Sequence, residues 1–435
     1  MLGNLERRVV VTGIGVCTPL GMDMNSLWDN LINGRDVMGP IVRRDDIFST
    51  CKSSAASYFS KEQLTLKNLG LADNEHAKRR MAHFTRVAVN AAQEAVNDSG
   101  LIFNGPDELG ERTGASIASG FGGISELEIA AYIAQTKDKN AKRKGLGDMD
   151  KFLAFKSIPG AATVYLANLY RLHAGSFNSP SGACASGAIS VINGVKDIVL
   201  GNADAYLCGG TGDLSLLTFG YFDNLDALSK NHDYKTASRP FDRDRDGFVM
   251  GEGAGVIVLE EHEHAIQRGA KIYGEILGYS ERNDAGDWTK PREDGKYITQ
   301  AIKLALRMGK VNPEQIDYIN AHGTSTPLND SSESRGIRKA LGLWADKPFV
   351  NSTKSMLGHT LNASGAIEAV VALKSMEQGL IHPTKNLYNP DEEGGCNLSY
   401  VKHREVVEPK KGINYTLSNS IGFGGRNVVL LLGKV

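Results

Sequence analysis

Ala185-Ser186-Gly187-Ala188-Ile189 recurs 178 residues later as Ala363-Ser364-Gly365-Ala366-Ile367. A lysine stands eleven positions after each alanine (Lys196, Lys374) and a glycine sixteen after it (Gly201, Gly379). Each copy reads as a polar turn, small residues opening a helix, an apolar stripe and a glycine stop. A five-residue match could be chance, but the later matches favour duplication. The chain then consists of two related halves, 1–265 and 266–435, with the break near 262–270 and the two helix N-termini close to a pseudo-twofold axis. The period is too long for a solenoid.

Helix and strand signals alternate around these helices. Arg8 to Val16 reads as a buried strand ending in Gly13 and Gly15, residues 78–98 as a helix, and 113–118 as a strand leading into Gly120-Phe121-Gly122-Gly123. Asn427 to Leu432 forms a final apolar strand. The alternation predicts a layered α/β fold. The charged run Lys137 to Lys144 reads as a surface excursion.

Among 435 residues, 49 Lys+Arg stand against 50 Asp+Glu, without the basic excess of a dedicated nucleic-acid binder. Hydrophobic residues at 41% and charged ones at 23% exclude a disordered chain. The 49 glycines exceed the usual share of ~7% and point to tight turns and close backbone approaches. Five cysteines, odd in number, scattered and without a C-x-x-C pair, argue against a disulfide framework or a zinc site. The N-terminus shows no signal-peptide core, and no apolar run approaches ~18 residues. A soluble cytoplasmic protein with no metal and no membrane span is expected.

Cys184 sits among small residues directly ahead of the first repeated helix. There the positive end of the helix dipole would favour thiolate, and small neighbours leave room for an acyl group. Cys17 and Cys208 lie on apolar strands and read as inert core thiols. His322, in Asn320-Ala321-His322-Gly323-Thr324, follows a strand. His359, in Gly358-His359-Thr360, precedes the second repeated helix. The set lacks a third metal ligand at any compact spacing. Gly422-Phe423-Gly424-Gly425 offers exposed amides for half of an oxyanion hole, with Phe423 as a movable cover. Neither Gly-rich turn is a phosphate loop, since both lack GK[ST] and the G-x-G-x-x-G spacing.

Together these segments resemble the elongating β-ketoacyl-[acyl carrier protein] synthases of fatty acid and polyketide synthesis. The resemblance spans nearly the whole chain: the opening Val-Val-Val-Thr-Gly-Ile-Gly, the Ala183-Cys184-Ala185-Ser186-Gly187 turn, Arg239 to Phe248, Gly251 to Gly255, Asn320 to Pro327, Lys354 to His359 and Asn419 to Gly425. The Cys-His-His set distinguishes it from Cys-His-Asn starter synthases, and Cys184 itself from thiol-less chain-length-factor subunits.

The resemblance implies a thiolase fold of two βαβαβαββ halves in an α-β-α-β-α arrangement. It also implies a homodimer, or a heterodimer with a chain-length-factor-like subunit. Cys184 would accept an acyl chain from the phosphopantetheine of an acyl carrier protein. His322 and His359 would assist decarboxylation of malonyl-carrier protein, supported by Lys354 and Glu368, and no cofactor would be bound. The amides of Cys184 and Phe423 would hold the oxyanion, Thr324 and Thr326 the pantetheine, and Phe121 would floor the acyl pocket, favouring short or specialised chains. Lys78, Arg79, Arg80, Arg143, Lys144 and Lys230 would dock the acidic carrier. Gly182, Arg426 and the stretch Asp284 to Thr289 depart from the family pattern, close to the entrance and gating loops. The competing readings are a non-catalytic partner subunit and a cysteine-dependent acyl hydrolase.

Overall fold

A computed structural model of the chain describes residues 7–41, 51–65, 67–71, 79–103, 109–135 and 149–435. The strands of the first half are β1 (Val9–Cys17), β2 (Met38–Pro40), β3 (Ala55–Ser57), β4 (Thr113–Ala118), β5 (Phe177–Asn178), β6 (Ala205–Gly212), β7 (Met250–Gly251) and β8 (Gly253–Glu261). Those of the second are β9 (Gly274–Asn283), β10 (Tyr318–Asn320), β11 (Phe349–Asn351), β12 (Tyr415–Gly422) and β13 (Arg426–Gly433).

Ten of them follow the order β11-β10-β12-β13-β9-β1-β8-β6-β4-β5. The β1–β9 junction is short, pairing Val10 with Glu275 and Val11 with Gly274. Outward from it, each half repeats one pattern. The first strand pairs antiparallel with the last, which pairs antiparallel with a third, followed by two parallel neighbours. The duplication inferred from the pentapeptide is therefore present in the strand order and direction, and the architecture is the thiolase fold.

The two repeated segments form the central layer, helices Ser186–Val199 and Ser364–Gln378. The latter is buried along nearly its whole length, as a helix packed on all sides must be. Val191, Val195 and Ile198 share a core with Val370, Val371 and Leu373. Helices His83–Ser99 and Ala161–Tyr170 cover the outside of the first half, and Lys296–Met308 and Pro327–Leu341 the outside of the second. Glycine makes these layers close: a Cβ on Gly13 would meet Ala95 O at 2.1 Å, and one on Gly15 would meet Ala91 O at 2.1 Å.

The strand expected at 8–16 is β1, that at 113–118 is β4, and the C-terminal one is β13. The helix expected from 78 starts at His83, because Ala82 is extended (ψ 167°) and serves as its N-cap. The run 137–144 lies outside the described residues.

Candidate active site

Three adjacent parallel strands of the second half end at the site. β10 leads into Ala321-His322, β11 into Lys354, and β12 into Phe423. Loops at the carboxyl ends of parallel strands are where such sheets collect ligand-contacting groups. In the first half β5 leads through Ser179 to Gly182 into the turn that carries Cys184.

That turn is tightly held. Ala183 adopts a positive φ of 49°, uncommon for a residue with a Cβ. Ser186 Oγ accepts from Gly182 N at 2.8 Å and donates to Ala183 O at 2.6 Å. Asn362 of the other half donates to Ala183 O at 2.9 Å. A Cβ on Gly422 would lie 2.8 Å from Gly182 O, so only glycine lets the end of β12 rest against the turn that carries Cys184.

Cys184, His322 and His359 line one cavity of about 340 Å³, together with Thr324, Thr326 and Phe423. The histidine rings meet edge to face with centroids 5.3 Å apart. Phe248 packs on His359, and Phe222 links Phe248 to Phe423, giving the cavity an aromatic wall.

Both imidazoles are buried, and burial, reinforced by Lys354, holds their pKa values well below the ordinary one. They are therefore neutral, and their partners fix the tautomer. Lys354 Nζ lies 3.2 Å from His322 Nδ1 and donates to His322 O at 2.7 Å. An ammonium only donates, so Nδ1 accepts and the ring proton sits on Nε2. At His359, Leu361 N donates to Nδ1 at 3.3 Å and Ser364 Oγ lies 2.9 Å from it, which again leaves the proton on Nε2. Two Nε2–H donors suit an oxygen on which negative charge develops.

Lys354 is held by Glu368, a buried pair inside the central helix layer. Burial pushes the Glu368 carboxyl up to about 7, against the pull of Lys354. Burial pushes the Cys184 thiol up to about 11, although Lys354 and the amides of Phe423 and Cys184 draw it down. Desolvation in an apolar pocket outweighs one nearby cation. The resting group is a thiol.

Cys17 and Cys208 are fully buried core residues whose thiols burial pushes up strongly. Thr324 and Thr326 join hydroxyls at 2.8 Å on the cavity wall. Phe121 is 42% exposed in the single chain and is not among the residues that line the cavity holding Cys184. Arg79, Arg80 and Lys230 are exposed, with Lys230 paired to Asp226 at 2.8 Å. Lys78, Arg143 and Lys144 lie outside the described residues.

Two buried carboxylates were missed in the sequence reading. Glu333 accepts from His322 N at 2.8 Å and Gly323 N at 2.9 Å, and Asp330 accepts from Thr324 N at 2.9 Å and Ser325 N at 3.1 Å. Arg245 lies in the 239–248 motif, which had carried no assigned role. Its guanidinium donates to Pro327 O at 2.9 Å and Ser331 Oγ at 2.8 Å, bracing the same loop. The available signal was Asp330 and Glu333 three apart on a helix just after the histidine loop, hence on one face. Among the described residues no cluster of three or more His, Cys, Asp or Glu could hold a metal ion.

The chain as a whole is similar to known proteins. Residues 6–265 match the model of the β-ketoacyl synthase N-terminal domain, and 273–388 that of its C-terminal domain. A 3-oxoacyl-[acyl-carrier-protein] synthase 2 of Synechocystis sp. is 41% identical, with 100% of each chain covered. One from Vibrio cholerae is 38% identical over 99% of this chain and 100% of its own. Among solved structures, a type II polyketide ketosynthase in complex with its acyl-carrier protein and bound to the hexaketide superposes with TM-score 0.87 at 32% identity, covering 99% of this chain and 100% of that one. The ishigamide ketosynthase/chain length factor gives TM-score 0.84 at 32% identity, with 99% of each chain covered.

Proposed function

This chain belongs to the β-ketoacyl synthase family, and from that premise we propose that Cys184, His322 and His359 perform its condensation. It is an acyltransferase of the condensing type. The observation that carries the residue assignment is the single cavity lined by a thiol from segment 1–265 and two neutral imidazoles from 266–435, which we take as its two domains.

In the first step the Cys184 sulfur attacks the carbonyl of an acyl thioester on the carrier's pantetheine. The carrier sulfur leaves and takes up a proton, and the acyl chain remains on Cys184. The amides of Cys184 and Phe423, both of which act on this sulfur, hold the tetrahedral oxyanion. Malonyl-carrier protein then enters past Thr324 and Thr326. Its carboxyl–carbon bond breaks, CO2 departs, and the electron pair forms an enolate whose oxygen receives the Nε2–H groups of His322 and His359. The enolate carbon attacks the acyl-cysteine carbonyl, the carbon–sulfur bond breaks with its electron pair going to the Cys184 sulfur, which takes up a proton from solvent to restore the thiol, and β-ketoacyl-carrier protein is released. Covalent storage divides one difficult reaction into easier steps. Lys354 and Glu368 position the imidazoles. The substrates bring their own pantetheine, and no bound cofactor is assigned.

Arg79, Arg80 and Lys230 form the described part of the docking rim for an acidic carrier. A homodimer is assigned, with a chain-length-factor-like heterodimer as the second possibility. The exposed apolar residues Phe121, Ile129, Tyr132, Phe155, Val164 and Phe177 of the first half support a covered face. The cytoplasm is the proposed compartment; among the described residues no helix is long and apolar enough to cross a membrane.

Intact-mass analysis with an acyl-carrier protein tests the reading. A stable acyl adduct on Cys184 that converts to β-ketoacyl product on adding malonyl-carrier protein is expected. Rapid release by water would make the chain a hydrolase, and absence of any adduct would make it a partner subunit.

A further inference from the structure

The cavity wall carries three acidic residues and one lysine: Asp226, Asp246, Asp284 and Lys290. Each aspartate is partnered. Asp226 pairs with Lys52 and Lys230, each at 2.8 Å. Asp246 accepts from Ser229 Oγ at 2.6 Å and Lys230 N at 2.9 Å. Asp284 accepts from Asn427 Nδ2 at 2.8 Å and Arg292 N at 3.0 Å. Lys290 differs: among the described residues its ammonium makes no ion pair or hydrogen bond. Asp287 feels that charge through space, but its Oδ1 is taken by Thr289 N at 2.8 Å and Lys290 N at 2.9 Å.

The backbone carrying this free cation is fixed. Besides the Asp287 turn, Trp288 O accepts from Gly424 N at 2.7 Å, so the segment is tied to the Phe423 turn. Lys290 is exposed, whereas Cys184, His322 and His359 at the inner end are buried. An unpaired ammonium on a braced backbone, at an exposed part of the cavity wall, suits a ligand that is anionic at its outer end. The malonyl carboxylate is consumed at the buried end, beside the imidazoles. The acidic carrier body meets the Arg79, Arg80 and Lys230 rim, and the anion that the pantetheine arm itself carries is the phosphodiester where it joins the protein, at the outer end.

We propose that Lys290 is a specificity-determining residue that recognises the phosphate of the phosphopantetheine arm. This rests on the assignment of the cavity to pantetheine thioesters. It locates part of the carrier selectivity directly after the departing stretch Asp284 to Thr289. Charge-assisted hydrogen bonds are the strong ones, so the effect is large enough to measure.

The experiment uses one acyl group on two donors, phosphopantetheine and pantetheine, and follows acylation of Cys184 by mass. In the unaltered enzyme kcat/KM favours the phosphorylated donor. K290A should lower that preference about tenfold, roughly the 1.4 kcal/mol of one charge-assisted hydrogen bond, and K290R should keep most of it. An unchanged preference in K290A, or an equal fall in K290R, overturns the proposal. If the unaltered enzyme is acylated by neither donor, the assignment of the cavity itself has failed.

Discussion

Gly187 and Gly365 face each other across the pseudo-twofold axis, each against the backbone of the other's helix. A Cβ on Gly187 would meet Ala366 N at 2.7 Å, and one on Gly365 would meet Ala188 N at 2.9 Å. The third residue of each repeated pentapeptide is thus the contact point of the two halves.

Backbone atoms of the facing helix stand within 3.0 Å of each added Cβ, and at Gly365 the Ser420 hydroxyl is closer still at 2.6 Å, so G187A and G365A force the helices apart. Overpacking of this kind costs about 1–3 kcal/mol. Denaturant unfolding should show a loss of that size for each variant. Wild-type stability in either would mean that the helices are not in contact there.

Alkylation of Cys184 by iodoacetamide should accelerate about tenfold per pH unit from pH 7 to 9 without levelling, since burial holds the thiol at about 11. A plateau near pH 7 would show that the helix dipole and Lys354 prevail over desolvation.

E333Q leaves one oxygen to accept and turns an NH2 group towards a backbone N–H of His322 or Gly323. A stranded buried donor costs about 1–3 kcal/mol. CO2 release from malonyl-carrier protein should fall further than acylation of Cys184, because Glu333 positions His322 and not the thiol. Equal losses in the two half-reactions would contradict that division.

His382 lies buried outside the cavity, and burial pushes its pKa down to about 4. A base with a depressed folded-state pKa favours folding above its unfolded value, near 6.5, and that advantage disappears as pH falls. The stability of the wild type relative to H382N should therefore shrink by about 2 kcal/mol between pH 7 and pH 5. A difference independent of pH would mean that His382 is not held neutral.

Cys184, His322, His359 and the twofold arrangement were readable because each depends on local pattern: a residue type beside glycine and small polar neighbours, repeated at a fixed offset. Glu333, Asp330 and Arg245 were not readable. Their meaning lies in which amides they meet, and those amides come from a loop that only the packed fold brings within hydrogen-bond reach.

The amino-acid order alone determined two α/β halves, a cysteine at one central helix and two imidazoles in the other half, since periodicity and residue chemistry are properties of the chain. Protonation was decided by the tertiary structure. Burial pushes the Cys184 thiol up, and Lys354 and Leu361 N set the tautomers of His322 and His359, because desolvation and hydrogen-bond direction exist only once distant segments enclose the same small volume.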